Sequence, residues 1–160
     1  MQVRRFVPAT DFDELRCWCS DERIHALWCA GRFPFPLERE GFEKALSAMD
    51  DAPYTALDDS GVPVGFFCLS FNSETMLKFV LVKPDARGQG VGRKMIRLAA
   101  DTAFENPEVR IVRLNVFSVN VPAERCYLST GFTVESVTPE AFRYKDEVWG
   151  RCSMTLARKG

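Results

Sequence analysis

Between Thr75 and Phe117 the chain reads strand, glycine turn, helix, strand, and this succession restricts its architecture more than any other stretch. Thr75 to Val82 is apolar on both alternating sets of side chains. Met76, Lys78, Val80 and Val82 form one set, Leu77, Phe79 and Leu81 the other. That pattern predicts a central strand covered on both faces. Pro84 and Asp85 stop it, and three glycines then alternate through Arg87-Gly88-Gln89-Gly90-Val91-Gly92-Arg93. From there Val91, Met95, Leu98, Ala99 and Thr102 recur at helical spacing, with Arg93, Lys94 and Arg97 outside. Val109 to Phe117 is a strand again. A helix joining two strands makes a crossover, so the two strands run in parallel.

A strand, a glycine turn and a helix start also make an anion site. The N–H groups of a first helical turn have no partner in the helix, and the helix dipole favours negative charge there. Glycine admits positive φ and lets a ligand approach the backbone closely. The segment is not a P-loop, which requires four residues between its glycines and then Gly-Lys-Ser/Thr. Nor is it the dinucleotide fingerprint, because Arg93 stands where the third glycine belongs. Arg87-x-x-Gly90-x-Gly92 remains, as a cradle for a phosphate or pyrophosphate.

The rest of the sequence sets outer bounds. The 160 residues make one domain, 1–160, large enough to bury a core. A net charge of −1 gives no basic footprint for nucleic acid. No apolar run is long enough to span a membrane, and no secretory h-region follows Met1-Gln2-Val3-Arg4-Arg5, so a cytoplasmic protein is expected. The six cysteines contain no C-x-x-C, and His25 is the only histidine, so no metal site is expected. A homodimer is compatible with the sequence but not indicated by it.

Along the chain, Gln2–Val7 reads as a strand, and a helix capped by Thr10 or Asp11 follows through Cys19. A second helix covers Asp21–Cys29, an aromatic proline loop 31–36, and a third helix Leu37–Met49. The period then changes to strands at Tyr54–Leu57 and Val62–Phe71 around a turn at 58–61. After Phe117, Asn120 or Val121 starts a short helix with Pro122 in its first turn, ending at Gly131. Phe132–Val137 is a strand, 138–146 a polar loop and Glu147–Ala157 the last strand.

Asn120-Val121-Pro122-Ala123-Glu124-Arg125-Cys126-Tyr127-Leu128-Ser129-Thr130-Gly131-Phe132 closely resembles the pattern Asn-x-x-Ala-x-x-x-Tyr-x-x-x-Gly-Phe of the GNAT N-acyltransferase superfamily. Arg87-x-x-Gly90-x-Gly92 resembles that family's acyl-CoA pyrophosphate loop, and the two motifs stand at the family's spacing. The helical region 8–50 looks like the branch of ribosomal-protein N-terminal acetyltransferases. The resemblance implies a mixed, mostly antiparallel α/β sheet of about seven strands, flanked by helices, whose parallel fourth and fifth strands splay apart. It also implies an acetyl-CoA-dependent N-acyltransferase with its acyl-CoA core at 75–132, and the region 8–50 shaping the acceptor site.

By the same resemblance, acetyl-CoA would lie in the splay with its pyrophosphate on Arg87, Gly88, Gln89, Gly90, Val91, Gly92 and Arg93. Leu81 and Val82 would meet the pantetheine arm through their backbones, and one such N–H would stabilise the thioester oxyanion. Asn120 would hold the arm or cap its helix, two compatible roles. Tyr127 would be the general acid for the departing CoA thiolate. The general base stays open among Lys78, Glu74 and water, because strand four lacks the carboxylate of many relatives and strand five offers Asn115. The acceptor would be an unidentified primary amine. Trp28, Phe33, Phe35, Phe71, Tyr144 and Trp149 are candidate wall residues for it, and Asp50, Asp51, Glu140, Asp146 and Glu147 could attract a cation.

Overall fold

The computed structural model describes residues 1–160. Its elements are β1 (Gln2–Arg5), α1 (Pro8–Trp18), α2 (Glu22–Cys29), α3 (Arg39–Met49), β2 (Ala52–Leu57), β3 (Pro63–Ser70) and β4 (Thr75–Val82). A 3-10 turn at Pro84–Ala86 leads to α4 (Val91–Phe104), β5 (Ile111–Phe117), α5 (Val121–Ser129), β6 (Thr133–Tyr144) and β7 (Glu147–Ala157). The strands form one sheet in the order β1-β2-β3-β4-β5-β7-β6. Only β4 and β5 pair in parallel, as the crossover required, and they do so only at Thr75–Val112 and Met76–Arg113. Beyond those pairs the two strands diverge.

Each face of the sheet is covered separately. Helices α4 and α5 close one face over Leu77, Val112, Leu114, Val116 and Met154, to which they add Met95, Ile96, Ala99 and Tyr127. Gly65 lets α4 lie flat on β3: a Cβ there would stand 2.3 Å from Met95 Sδ. Helices α1 to α3 close the other face with Phe6, Phe12, Leu15, Trp28, Phe33, Phe42, Phe66 and Leu81. Phe42 sits at the middle of that cluster, 4.8 Å from Phe33 and 5.7 Å from Phe6 between ring centroids. Full burial of one such side chain contributes about 2–3 kcal/mol.

The structure departs from the sequence reading in four places. Helix α1 starts at Pro8 with Val7 in the capping position, and Asp11 lies inside it, its carboxylate reaching back to the Val7 N–H at 2.9 Å. Strand β5 starts at Ile111, because Val109 still belongs to the preceding turn, where its N–H donates to Asn106 O. Strand β6 continues to Tyr144 through the expected loop 138–146, which shrinks to a tight turn with Lys145 at φ 53°. Its register against β7 slips between Thr138 and Phe142, so Pro139, Glu140 and Ala141 form a bulge in the strand. The fourth departure shapes the site. Strand β4 bulges against β3 between Lys78 and Leu81, and Phe79 takes φ 53°. Alternation resets there: Leu77 faces α4, whereas Phe79 and Leu81 pack with α1 to α3.

Candidate active site

The divergence of β4 and β5 opens a cleft of about 650 Å³. The glycine turn and the start of α4 form one end, β5 and α5 one side, and α2 the roof. Gly88 and Gly90 have φ of 75° and 77°, which turns the chain sharply before α4. Along the cradle, the N–H groups of Gly88, Gln89, Gly90, Val91, Gly92 and Arg93 find no acceptor in the chain, and Lys94 is the first to donate back, to Gly90 O at 3.2 Å. Unpaired amides at the positive end of a helix suit a phosphate group. Gly92 keeps α4 close to its neighbours, since a Cβ there would meet Cys126 Sγ and Val82 Cγ2 at 3.4 Å each.

The backbone of β4 continues the site. Lys83 donates its N–H to Val64 O at 2.8 Å, so Gly65 and Val82 form a non-hydrogen-bonded pair. Val82 therefore turns its own N–H and C=O away from β3, into the cleft. Leu81 directs its backbone to β3 and lines the cleft with its side chain. Arg87 Nε donates to Val82 O at 3.3 Å, which keeps the guanidinium at the cradle. Gln89 turns away, its Nε2 donating to Asp85 O at 2.9 Å, and it does not line the cleft. Asn120 precedes α5 and lines the cleft with no side-chain bond to the helix it starts.

Tyr127 is 6% exposed and packs edge-on to Phe132 at 6.0 Å. Burial pushes its phenol well above the usual value, with the neighbouring Cys126 adding to the shift, so the hydroxyl stays protonated. No hydrogen bond contributes to that shift, and the residue borders the cleft.

The general-base candidates are otherwise engaged. Lys78 Nζ lies 3.2 Å from Asp51 Oδ2, whose side chain is sealed from solvent, so the lysine serves as the partner of a buried carboxylate. Glu74 lies 3.2 Å from Arg113 Nε, at the far end of the strands and off the N–H axis, so that nitrogen has no true hydrogen bond. Arg113 also contacts Glu135. No aspartate or glutamate lines the cleft, although Asn115 does.

Of the expected acceptor walls, Trp28 lines the cleft, and its indole donates to Phe79 O at 2.8 Å across the bulge. Phe33 is fully buried in the α1–α3 core, and Phe35 packs on His25. Phe71 belongs to a separate hollow at the other end of β4 and β5. Tyr144 and Trp149 stack on each other behind the wall. His25 is buried between Trp28 and Phe35, and burial lowers its pKa. Sequence periodicity did not reveal Arg32, Phe142 or Arg151 as lining residues. Arg151 had one usable signal: a charged residue on the final strand beside the buried Cys152 and Met154. Arg32, in a loop, had none.

The model of the acetyltransferase (GNAT) family matches residues 13–132. The chain belongs to that family. In sequence, the family member is similar to a streptothricin acetyltransferase of Streptomyces lavendulae, at 34% identity over 86 residues. That match covers 52% of this chain and 45% of the relative, so the chain spans about half the length of the curated relative it matches. In structure, this GNAT chain resembles spermidine N-acetyltransferase from Vibrio cholerae, solved with CoA and spermine, at TM-score 0.81 and 18% identity. That alignment covers 98% of this chain and 94% of the other. Ribosomal-protein-alanine N-acetyltransferase from Brucella melitensis aligns at TM-score 0.79 and 19% identity, over 99% and 100% of the two chains. At these identities the likeness speaks for the shared fold. No helix is long and apolar enough to cross a membrane.

Proposed function

We propose that the protein transfers acetyl from acetyl-CoA to a primary amine by direct attack within a ternary complex. The observation that carries this reading is the run of unpaired amides from Gly88 to Arg93, at the same cleft that the N–H of Val82 faces and that Tyr127 borders. The pyrophosphate takes the amides, with Arg87 and Arg93 beside it. The pantetheine arm follows β4, where the Val82 backbone supplies hydrogen bonds. The neutral amine nitrogen attacks the thioester carbonyl, and a backbone N–H of β4 stabilises the oxyanion. The carbon–sulfur bond then breaks, and Tyr127 donates its proton to the thiolate. With no carboxylate in the cleft, water receives the proton of the amine.

The absent carboxylate also favours a second reading, an acyl-CoA-binding domain without turnover. Titration calorimetry with acetyl-CoA and a CoA-release assay on a panel of amines separate the two. Binding with turnover supports the enzyme, and binding without turnover supports the domain. No heat on titration removes both.

A further inference from the structure

The charged groups that line the cleft all have one sign. They are Arg32, Lys78, Arg87, Arg93 and Arg151. Lys78 is neutralised by Asp51, whereas the four arginines enter no ion pair. Arg87 and Arg93 belong to the amide cradle at the start of α4. Arg32 and Arg151 stand on the other side of the sheet. Strand β7 sends Cys152 and Met154 to the α4 face, so Arg151 points to the opposite face, the one covered by α2. There it pairs across the sheet with Phe117, which packs with Trp149 and Ala26 of α2. Arg32 follows the left-handed turn at Ala30 and Gly31 that ends α2. The same cleft is also lined by the apolar side chains of Ile24, Leu27, Trp28, Phe79 and Phe142.

Two acids on the elements around this mouth, on α2 and β7, are already engaged. Glu147 contacts Arg23, and Glu22 lies 3.1 Å from Lys145 Nζ. Asp50, Glu140 and Asp146 are exposed and outside the cleft lining. A polycation entering the cleft would meet guanidinium groups and no carboxylate in its lining, and like charges at close range oppose binding. An unpaired arginine beside apolar walls is suited to a bidentate hydrogen bond with a carboxylate.

We infer that the acceptor is a small amine carrying a carboxylate and an apolar substituent, with Arg32 and Arg151 binding the carboxylate while the amino group faces the thioester. This rests on the acetyltransferase reading above and narrows its substrate class. It also sets the chain apart from a protein built to take a polyamine.

Steady-state kinetics at saturating acetyl-CoA, with leucine, leucinamide, leucyl-glycine and spermidine as acceptors, test it. Leucine is expected to exceed leucinamide in kcat/KM by roughly ten- to a hundredfold, the scale of a charge-assisted hydrogen bond. In Arg151→Gln and Arg32→Gln that ratio should collapse toward one, with Arg151→Lys recovering part of it. Calorimetry should show the same acetyl-CoA affinity in all three variants. A preference for spermidine or leucinamide overturns the inference, and one for leucyl-glycine over leucine supports it with the carboxylate held farther from the amine. So does a loss of acetyl-CoA affinity in the glutamine variants, which would assign the two arginines to the phosphates of CoA. Absence of acetyl-CoA binding in the wild type would instead refute the acetyltransferase reading itself.

Discussion

Burial holds the Tyr127 phenol in its neutral form, and only a protonated hydroxyl can serve a departing thiolate. Tyr127→Phe keeps the ring against Phe132 and removes only the proton donor. Stopped-flow or steady-state assays should show kcat reduced by roughly a hundredfold or more, with acetyl-CoA affinity nearly unchanged. An unchanged kcat would leave Tyr127 as packing. Lys78 poses a similar question with the opposite expected answer. If it only neutralises Asp51, then Lys78→Met alone should destabilise the fold by about 3–5 kcal/mol, because it leaves a buried carboxylate unpaired. The pair Asp51→Leu with Lys78→Met should recover most of that loss in denaturant titrations, and should keep kcat. A stable double variant without turnover would return Lys78 to the list of bases.

Elements are joined here by polar groups as well as by cores. The Asp11 carboxylate accepts two bonds from Arg4 of β1, at 2.7 and 2.9 Å, one from the Val7 N–H and one from Thr55 of β2. Burial alone would raise its pKa, but these donors outweigh burial and hold it at about 2. The folded value lies below the unfolded one, so the stabilisation is complete above about pH 4 and lost as pH falls toward 2. Its size is about 2 kcal/mol, from 1.36 kcal/mol per pKa unit. Urea midpoints measured between pH 5 and 2 should fall more for wild type than for Asp11→Asn, which starts lower and has less to lose. Gly90 tests a different joint. A methyl there meets no atom of the chain, so Gly90→Ala costs only the left-handed strain of about 1–2 kcal/mol, which melting curves would report. Acetyl-CoA affinity should fall by more than tenfold, because the methyl occupies the ligand's approach. Strand and helix periods, the crossover and the glycine turn were readable in the sequence because each follows from local spacing. The bulge at Phe79 was not, because a single inserted residue leaves the apolar pattern of Thr75–Val82 unchanged while it reverses which side Leu81 faces. The extension of β6 was hidden for a related reason: it pairs polar residues along β7 with no apolar alternation to betray a strand.

At the scale of the molecule, the sheet is two halves held by few backbone bonds. Strands β1 to β4 form one ladder and β5 to β7 another, and between them stand only the pairs Thr75–Val112 and Met76–Arg113. Side chains of α4 and α5 bridge the rest from one face, and α2 from the other. A ligand seated in the splay would therefore supply hydrogen bonds that the protein lacks, to backbone groups that face no strand. Bound at about a hundred times its dissociation constant, acetyl-CoA should add about 2.7 kcal/mol and raise the melting temperature by roughly 5–10 °C. Hydrogen exchange locates that gain. The amides of Val82 and Gly88 to Arg93 should slow markedly on binding, since each has no acceptor beforehand. The amides of β7, already paired on both sides, should change only by the global increment. Uniform slowing across the sheet, with no added protection at Val82 or the glycine turn, would mean that the acyl donor binds elsewhere than between the two halves.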